Sequence, residues 1–96
     1  MIVTMKDFGQ SLTTRAAGRA AYERIAGPLA SADGTVVFDF DGVGTITNSF
    51  ADEVFGRLVA ELGFDEFKSR TTFRNIQGLW ARVVRSAIDS RAMQPV

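Results

Sequence analysis

The run Val36-Val37-Phe38-Asp39-Phe40-Asp41-Gly42-Val43-Gly44-Thr45-Ile46-Thr47-Asn48-Ser49-Phe50 constrains this chain most, because an apolar, β-branched and aromatic stretch passes through a polar loop into a helix start. The continuous apolar run over residues 35–40 predicts a strand buried on both faces, and therefore the centre of a sheet. Ligands and partners of open α/β sheets gather where such a strand ends, so the loop from Asp41 to Ser49 is the candidate functional region. Two chemistries compete for it. One uses the carboxylates of Asp39 and Asp41, the other the hydroxyl of Ser49 at the helix start.

The remaining elements follow from periodicity and punctuation. Residues 1–5 read as a short strand and Phe8-Gly9-Gln10 as a turn. A helix is predicted over 12–26, with Ala16, Ala17, Ala20 and Ala21 as a small-residue stripe extended by Ile25, and Gly27-Pro28 as its break. Ser31-Ala32-Asp33-Gly34 reads as a turn. A second helix runs from Asn48 or Ser49 to Leu62, where Gly63 can end it in a left-handed conformation. Phe50, Val54, Phe55, Leu58, Val59 and Leu62 form its packed face. Asp52, Glu53, Arg57 and Glu61 fall outside, with Glu53 and Arg57 spaced for an ion pair. Residues 64–67 connect to a strand over 69–73. A last helix over 76–91 is expected to bury Ile76, Leu79, Trp80, Val83, Val84, Ala87 and Ile88, with Asn75 as its N-cap and Pro95 beyond its end. This alternation predicts an α/β fold, a single domain over 1–96 with a mostly parallel sheet of three or four strands, covered by about three helices and joined by right-handed crossovers.

Composition removes several function classes. A chain of 96 residues buries roughly 60–70% of its unfolded surface, enough for one modest core. With no cysteine and no histidine, it has no thiolate chemistry, no disulfide, and neither the commonest general base nor the commonest transition-metal ligand. No apolar run approaches the ~20 residues of a membrane span, and no signal-peptide core follows the first methionine, so a cytoplasmic protein is expected. The net charge is zero but unevenly spread: residues 1–32 sum to +2, residues 33–67 to −7 and residues 68–96 to +5. In a neutral total, Arg70, Arg74, Arg82, Arg85 and Arg91 are read as solvated faces attracted to the acidic middle rather than as a nucleic-acid surface.

Asp39-Phe40-Asp41-Gly42-Val43 after a hydrophobic strand resembles the first motif of haloacid-dehalogenase-type phosphatases. That resemblance implies Asp39 as nucleophile, Asp41 as acid/base and a magnesium ion neutralising the phosphoryl oxygens. The family also needs a later lysine and a further acidic pair at a strand end. Here the only later lysine is Lys68, and the acids Asp52-Glu53 and Asp65-Glu66 fall in a helix's first turn and in a connection. The non-catalytic alternative lets Asp39 and Asp41 close the strand by accepting turn hydrogen bonds from backbone N–H groups. Gly42 and Gly44 lack the remainder of any phosphate-binding fingerprint and read as a flexible turn.

A second resemblance covers more of the chain. From about residue 8 to 91, the order of elements is similar to the STAS-like domains of unknown function (DUF4325), relatives of anti-sigma-factor antagonists. It rests on Val37-Phe38-Asp39-Phe40-Asp41-Gly42-Val43, on Ile46-Thr47-Asn48-Ser49-Phe50-Ala51-Asp52-Glu53, on Leu12-Thr13-Thr14-Arg15 and on Phe73-Arg74-Asn75. In the antagonists, a serine at the start of the helix after the central strand is phosphorylated by a partner ATPase of histidine-kinase fold. The resemblance therefore implies Ser49 as phosphoacceptor, with Thr47 where those proteins commonly carry an aspartate and Asn48 where they carry a small hydroxyl residue.

The residues themselves give Ser49 a structural alternative, since Ser49 and Asp52 stand at capping-box-like spacing and a cap is worth about 1 kcal/mol. The expected function is a non-catalytic, protein-binding regulatory module without a cofactor. Its contact residues would be Asp41, Thr45, Thr47, Asn48, Ser49, Asp52, Glu53 and Arg57, and its implied partner a histidine-kinase-like ATPase or an anti-sigma-type protein.

Overall fold

The computed structural model describes residues 1–31 and 35–93. Three strands, β1 (Ile2–Thr4), β3 (Val36–Asp39) and β5 (Thr71–Arg74), form a parallel sheet in the order β1-β3-β5, so the apolar run of the opening motif is indeed central. Two shorter strands, β2 (Ser11–Leu12) and β4 (Thr45–Ile46), pair in parallel as a separate ribbon. Among the described residues, four helices complete the α/β fold. They are α1 (Arg15–Ser31), α2 (the helical run 48–62), α3 (Phe64–Arg70) and α4 (Gly78–Ala92). A 3-10 turn, Met5–Phe8, joins the first two strands.

The register places Val3, Phe38 and Phe73 side by side on one face of the sheet. There Phe38 meets Phe55 of α2 edge-on at 5.0 Å and Phe73 at 5.3 Å. The opposite row, Ile2, Val37 and Thr72, is only partly covered. Burial of β3 on both faces is therefore corrected to burial on one, because α1 and α4 both lie against α2 instead of crossing to the second face.

Side-chain burial also corrects the helix boundaries. The buried stripe of α1 is Gly18, Ala21, Ile25 and Leu29, while Ala16 and Ala20 are exposed. Gly27-Pro28 does not end this helix. Burial of Leu29 in the next turn is worth roughly 2 kcal/mol and offsets much of the ~3 kcal/mol that an interior proline costs, and the Arg70 guanidinium donates to the Leu29 carbonyl. Gly18 is the point of closest approach: a Cβ there would lie 2.9 Å from Glu53 Cβ and 3.2 Å from the Phe50 carbonyl oxygen of α2.

The expected connection at 64–67 is instead the helix α3, which begins once Gly63 (φ +86°) has ended α2 as anticipated. Asp65 and Glu66 in its first turn and Lys68 and Arg70 in its last match the helix dipole, and Phe67 anchors it in the core. The following strand is consequently displaced to Thr71–Arg74. The last helix starts at Gly78 rather than at residue 76, with Gln77 and not Asn75 at its N-cap position, and Leu79 points outward at 60% exposure. The turn expected over 32–34 and Pro95 lie outside the described residues.

Candidate functional site

Asp39 ends the central strand beside the end of β5, and this edge is held by its carboxylate. Asp39 Oδ1 accepts from the Asp41 N–H and from Asn75 Nδ2, each at 3.0 Å. Its Oδ2 accepts from Nε and Nη2 of Arg74, each at 3.2 Å. The bond from Asn75, the Asp41 amide and the Arg74 guanidinium hold the Asp39 carboxyl below its ordinary range. Asn75 adopts φ +56°, a conformation in which asparagine is several-fold enriched among non-glycine residues, and so aims its amide at Asp39 instead of capping α4.

The loop that follows is pinned, which corrects the flexible turn expected at Gly42 and Gly44. Val43 N–H donates to the Phe40 carbonyl at 3.1 Å, and the Gly44 and Thr45 N–H groups both donate to the Gln10 carbonyl, at 2.9 and 3.2 Å. Val43 is buried at 5% exposure and plugs the loop into the core. Gly42 stands at φ +82°, with the Lys6 side chain laid across the place a Cβ would occupy.

Thr47 caps α2. Its Oγ1 accepts from the Phe50 N–H at 3.4 Å and donates to the Thr13 carbonyl at 3.0 Å, so it fixes both the helix and the ribbon partner. Ser49 lies two residues further on, half-buried inside the first turn, and among the described residues its hydroxyl has no hydrogen-bond partner. The capping role read for Ser49 from spacing belongs to Thr47, because the helix begins two residues earlier than that spacing assumes.

One turn beyond Ser49 the helix widens into a π-helical turn, Asp52–Gly56, where the Arg57 N–H reaches back to the Asp52 carbonyl. Asp52 is not a free outer charge. Arg91 of α4 grips it through Nε–Oδ1 at 2.9 Å and Nη2–Oδ2 at 3.0 Å, and Arg15 of α1 adds Nη1–Oδ2 at 3.1 Å. The Arg91 hydrogen bonds, then those of Arg15, lower the Asp52 pKa against the opposing effect of burial, and the same contact raises that of Arg91. Glu53 lies 4.0 Å from Arg15 and 3.8 Å from Arg57, the latter being the ion pair read from its spacing. Arg57 also stacks 4.5 Å over the ring of Tyr22, whose hydroxyl donates to Glu61. Burial first, then Glu61, raises the Tyr22 pKa.

Of the residues singled out by sequence, Asp41 and Asn48 are exposed, and Thr45, Thr47, Ser49, Asp52, Glu53 and Arg57 are half-buried. Along the chain they run from just after the central strand into the third turn of α2.

The sequence profile of one protein family, described as STAS-like domain of unknown function (DUF4325), matches residues 17–78, well over half of the chain. The chain belongs to this family. No curated protein and no solved structure matches it. The match is shorter at both ends than the extent read from the sequence, so Leu12-Thr13-Thr14-Arg15 and most of α4 lie outside it.

The segments on which the resemblance was read hold one another in this STAS-like domain. Asp39 binds Arg74 and Asn75, Thr47 binds Thr13, and Asp52 with Glu53 binds Arg15. The phosphatase alternative finds no support: a carboxylate whose two oxygens already accept four hydrogen bonds is a poor nucleophile, and Arg74 is drawn onto it. Among the described residues, no three Asp, Glu, His or Cys side chains stand close enough to share a metal ion. No described helix is long and apolar enough to cross a membrane. Sequence reasoning missed Arg91 and Arg15 as partners of Asp52 and Asn75 as a partner of Asp39. Only the charge imbalance between the middle and the last third of the chain hinted at such pairs.

Proposed function

We propose that this STAS-like domain is a regulatory protein-binding module, docking a histidine-kinase-like ATPase or an anti-sigma-type partner through the loop 41–49 and the start of α2, under control of phosphorylation at Ser49. The observation that carries the reading is the division of labour in the first turn of α2. Thr47 satisfies the helix end, and the Ser49 hydroxyl beside it is left without a structural task. Membership of a STAS-like family fits the same reading, and the resemblance to anti-sigma-factor antagonists read from the sequence implies a phosphoacceptor at this residue.

The electrostatics support it as well. A phosphate adds nearly two negative charges, which the unpaired N–H groups of a helix's first turn favour. The two acids one turn on would oppose it, but Asp52 is neutralised by Arg91 and Arg15, and Glu53 by Arg57. Docking then changes by charge: a surface that presents Asp41, Asn48 and a neutral hydroxyl becomes strongly anionic on modification.

The test incubates the chain with a candidate histidine-kinase-like ATPase and ATP, maps any phosphate by mass spectrometry, and compares binding with and without nucleotide. Phosphate at Ser49 and weakened binding after transfer are expected. A Ser49→Ala variant that binds unchanged under every nucleotide condition would remove Ser49 from the mechanism, and wild-type binding that survives Asp41→Lys with Asn48→Lys would remove the loop.

A further inference from the structure

Away from that strip, the free edge of β5 and the groove beside it form a second surface. We propose that it takes an extended segment of a partner protein, apolar at alternate positions and acidic at its ends, as an added strand. β5 is the outermost strand of its sheet and pairs only with β3 among the described residues. Phe40 N–H donates to the Arg74 carbonyl, which turns Thr72 and Arg74 toward β3 and leaves the Phe73 N–H and C=O facing outward, with the C=O of Thr71. Edge strands are normally blunted by charged side chains, proline or a bulge; the one charge of Thr71–Arg74, Arg74, is drawn onto Asp39, and the strand has no proline and a continuous register.

A groove of about 390 Å³ opens beside this edge, between α3 and α4. Phe64, Phe67, Phe73, Ile76, Val84 and Ile88 give it an apolar lining, and Phe64 stands at its mouth 39% exposed. A strand laid along β5 sends every second side chain to the face that Phe73 occupies, and so into the groove, while its backbone meets the outward groups of Phe73.

Charge selects the occupant. The lining includes Lys68, exposed and without an ion pair among the described residues, and Arg85, whose side chain is 84% exposed and pairs with Asp89 at 3.8 Å. Arg82, almost a turn before Arg85, is exposed and likewise without an ion pair among the described residues. Asp89 also lines the groove, as the partner of Arg85, while Arg82 stands outside the lining and Asp65 and Glu66 of α3 do not reach it, so the two basic side chains Lys68 and Arg85 outnumber the one lining acid. The rim is thus net basic and fits acidic residues flanking an apolar strand, whereas a second copy of this chain would bring like charges together.

The test is fluorescence anisotropy of the full chain with a labelled peptide carrying a Val-Thr-Val-Thr-Val core and Asp-Glu at each end. Saturable binding is expected, weakened at least ~10-fold by Lys68→Glu combined with Arg85→Glu, and weakened similarly when the peptide ends are Lys-Lys. Methylating alternate peptide amides should abolish it, a result that needs no change in the protein, and Ser49→Ala should leave it untouched, so this proposal fails or stands apart from the switch at α2. Equal binding of the methylated peptide, indifference to the charge reversals, or no saturation by ~1 mM peptide would overturn it. So would tighter binding of single-stranded oligothymidylate, which would assign the surface to nucleic acid, or elution of the chain as a dimer that excludes the peptide.

Discussion

Gly56 lies in the π-helical turn of α2 with ordinary helical dihedrals (φ −59°, ψ −42°), so replacing it by alanine should, on backbone grounds alone, stabilise the helix by about 1 kcal/mol. The surroundings reverse that sign. An added Cβ would lie 2.8 Å from Asp52 Oδ1, 2.9 Å from Arg91 Cγ and 3.3 Å from the Ala87 carbonyl oxygen. Asp52 cannot swing aside without leaving Arg91, and the Ala87 carbonyl belongs to the backbone of α4, so helix separation or a broken ion pair must follow. Overpacking of this kind costs about 1–3 kcal/mol, and losing a partly buried charge-assisted pair about 1–2 more. The net expectation for Gly56→Ala is a loss of about 1–4 kcal/mol.

Urea and thermal unfolding followed by circular dichroism and by the fluorescence of Trp80, the single tryptophan, measure it. Gly78→Ala supplies the control, since a Cβ at that helical position meets nothing within 4 Å and should raise stability by about 0.5–1 kcal/mol. In combination with Arg91→Ala, the Gly56→Ala loss should shrink, because the obstructing side chain is gone. A Gly56→Ala chain as stable as Gly78→Ala would refute the packing of α4 on α2 described above.

Two further expectations concern the same helix. Thr47→Ala should cost about 1 kcal/mol and Thr47→Ser much less, whereas Ser49→Ala should stay within about 0.5 kcal/mol of wild type in the same urea titrations; equal losses at the two positions would return the cap to Ser49. The Asp52 carboxyl titrates lower in the folded chain than in the unfolded one, so its contribution is complete at pH values above the unfolded pKa of ~3.9 and is lost as pH falls through the depressed folded value. Asp52→Asn should therefore be less stable than wild type by about 1–2 kcal/mol at pH 7, with the gap closing in stability curves taken toward pH 3. A gap independent of pH would deny the ion pair.

What could be read in advance was local. The central strand and the packed face of α2 declared themselves because Val36, Phe38, Phe40, Val54, Phe55 and Leu58 each follow the period of their own element. Asp39 and Asp41 drew attention as a pair, yet the partners that disarm Asp39 lie 35 and 36 residues away in β5 and the turn after it. The role of Asp52 depends on Arg15 and Arg91, 37 and 39 residues distant on either side, a separation at which spacing carries no signal. Pro28 misled for a related reason. Whether a helix survives an interior proline is decided by what the next turn buries, here Leu29, and that is a tertiary fact. The strip from Asp41 to Arg57 was legible as a region, whereas the assignment of its hydroxyls, with Thr47 at the helix end and Ser49 spare, depends on the residue at which α2 starts.

The grip of Arg15 and Arg91 on one carboxylate also sets an order of events during synthesis. On a ribosome adding ~5–20 residues per second, residues 15 and 52 are both available while the last helix is still in the exit tunnel. For those seconds Asp52 has one arginine and water, and the face of α2 that α4 will cover, Gly56 included, lies bare. The nascent chain is thus most exposed to wrong contacts just before Arg91 emerges, and a chaperone or partner that meets it then encounters a different surface from the finished domain.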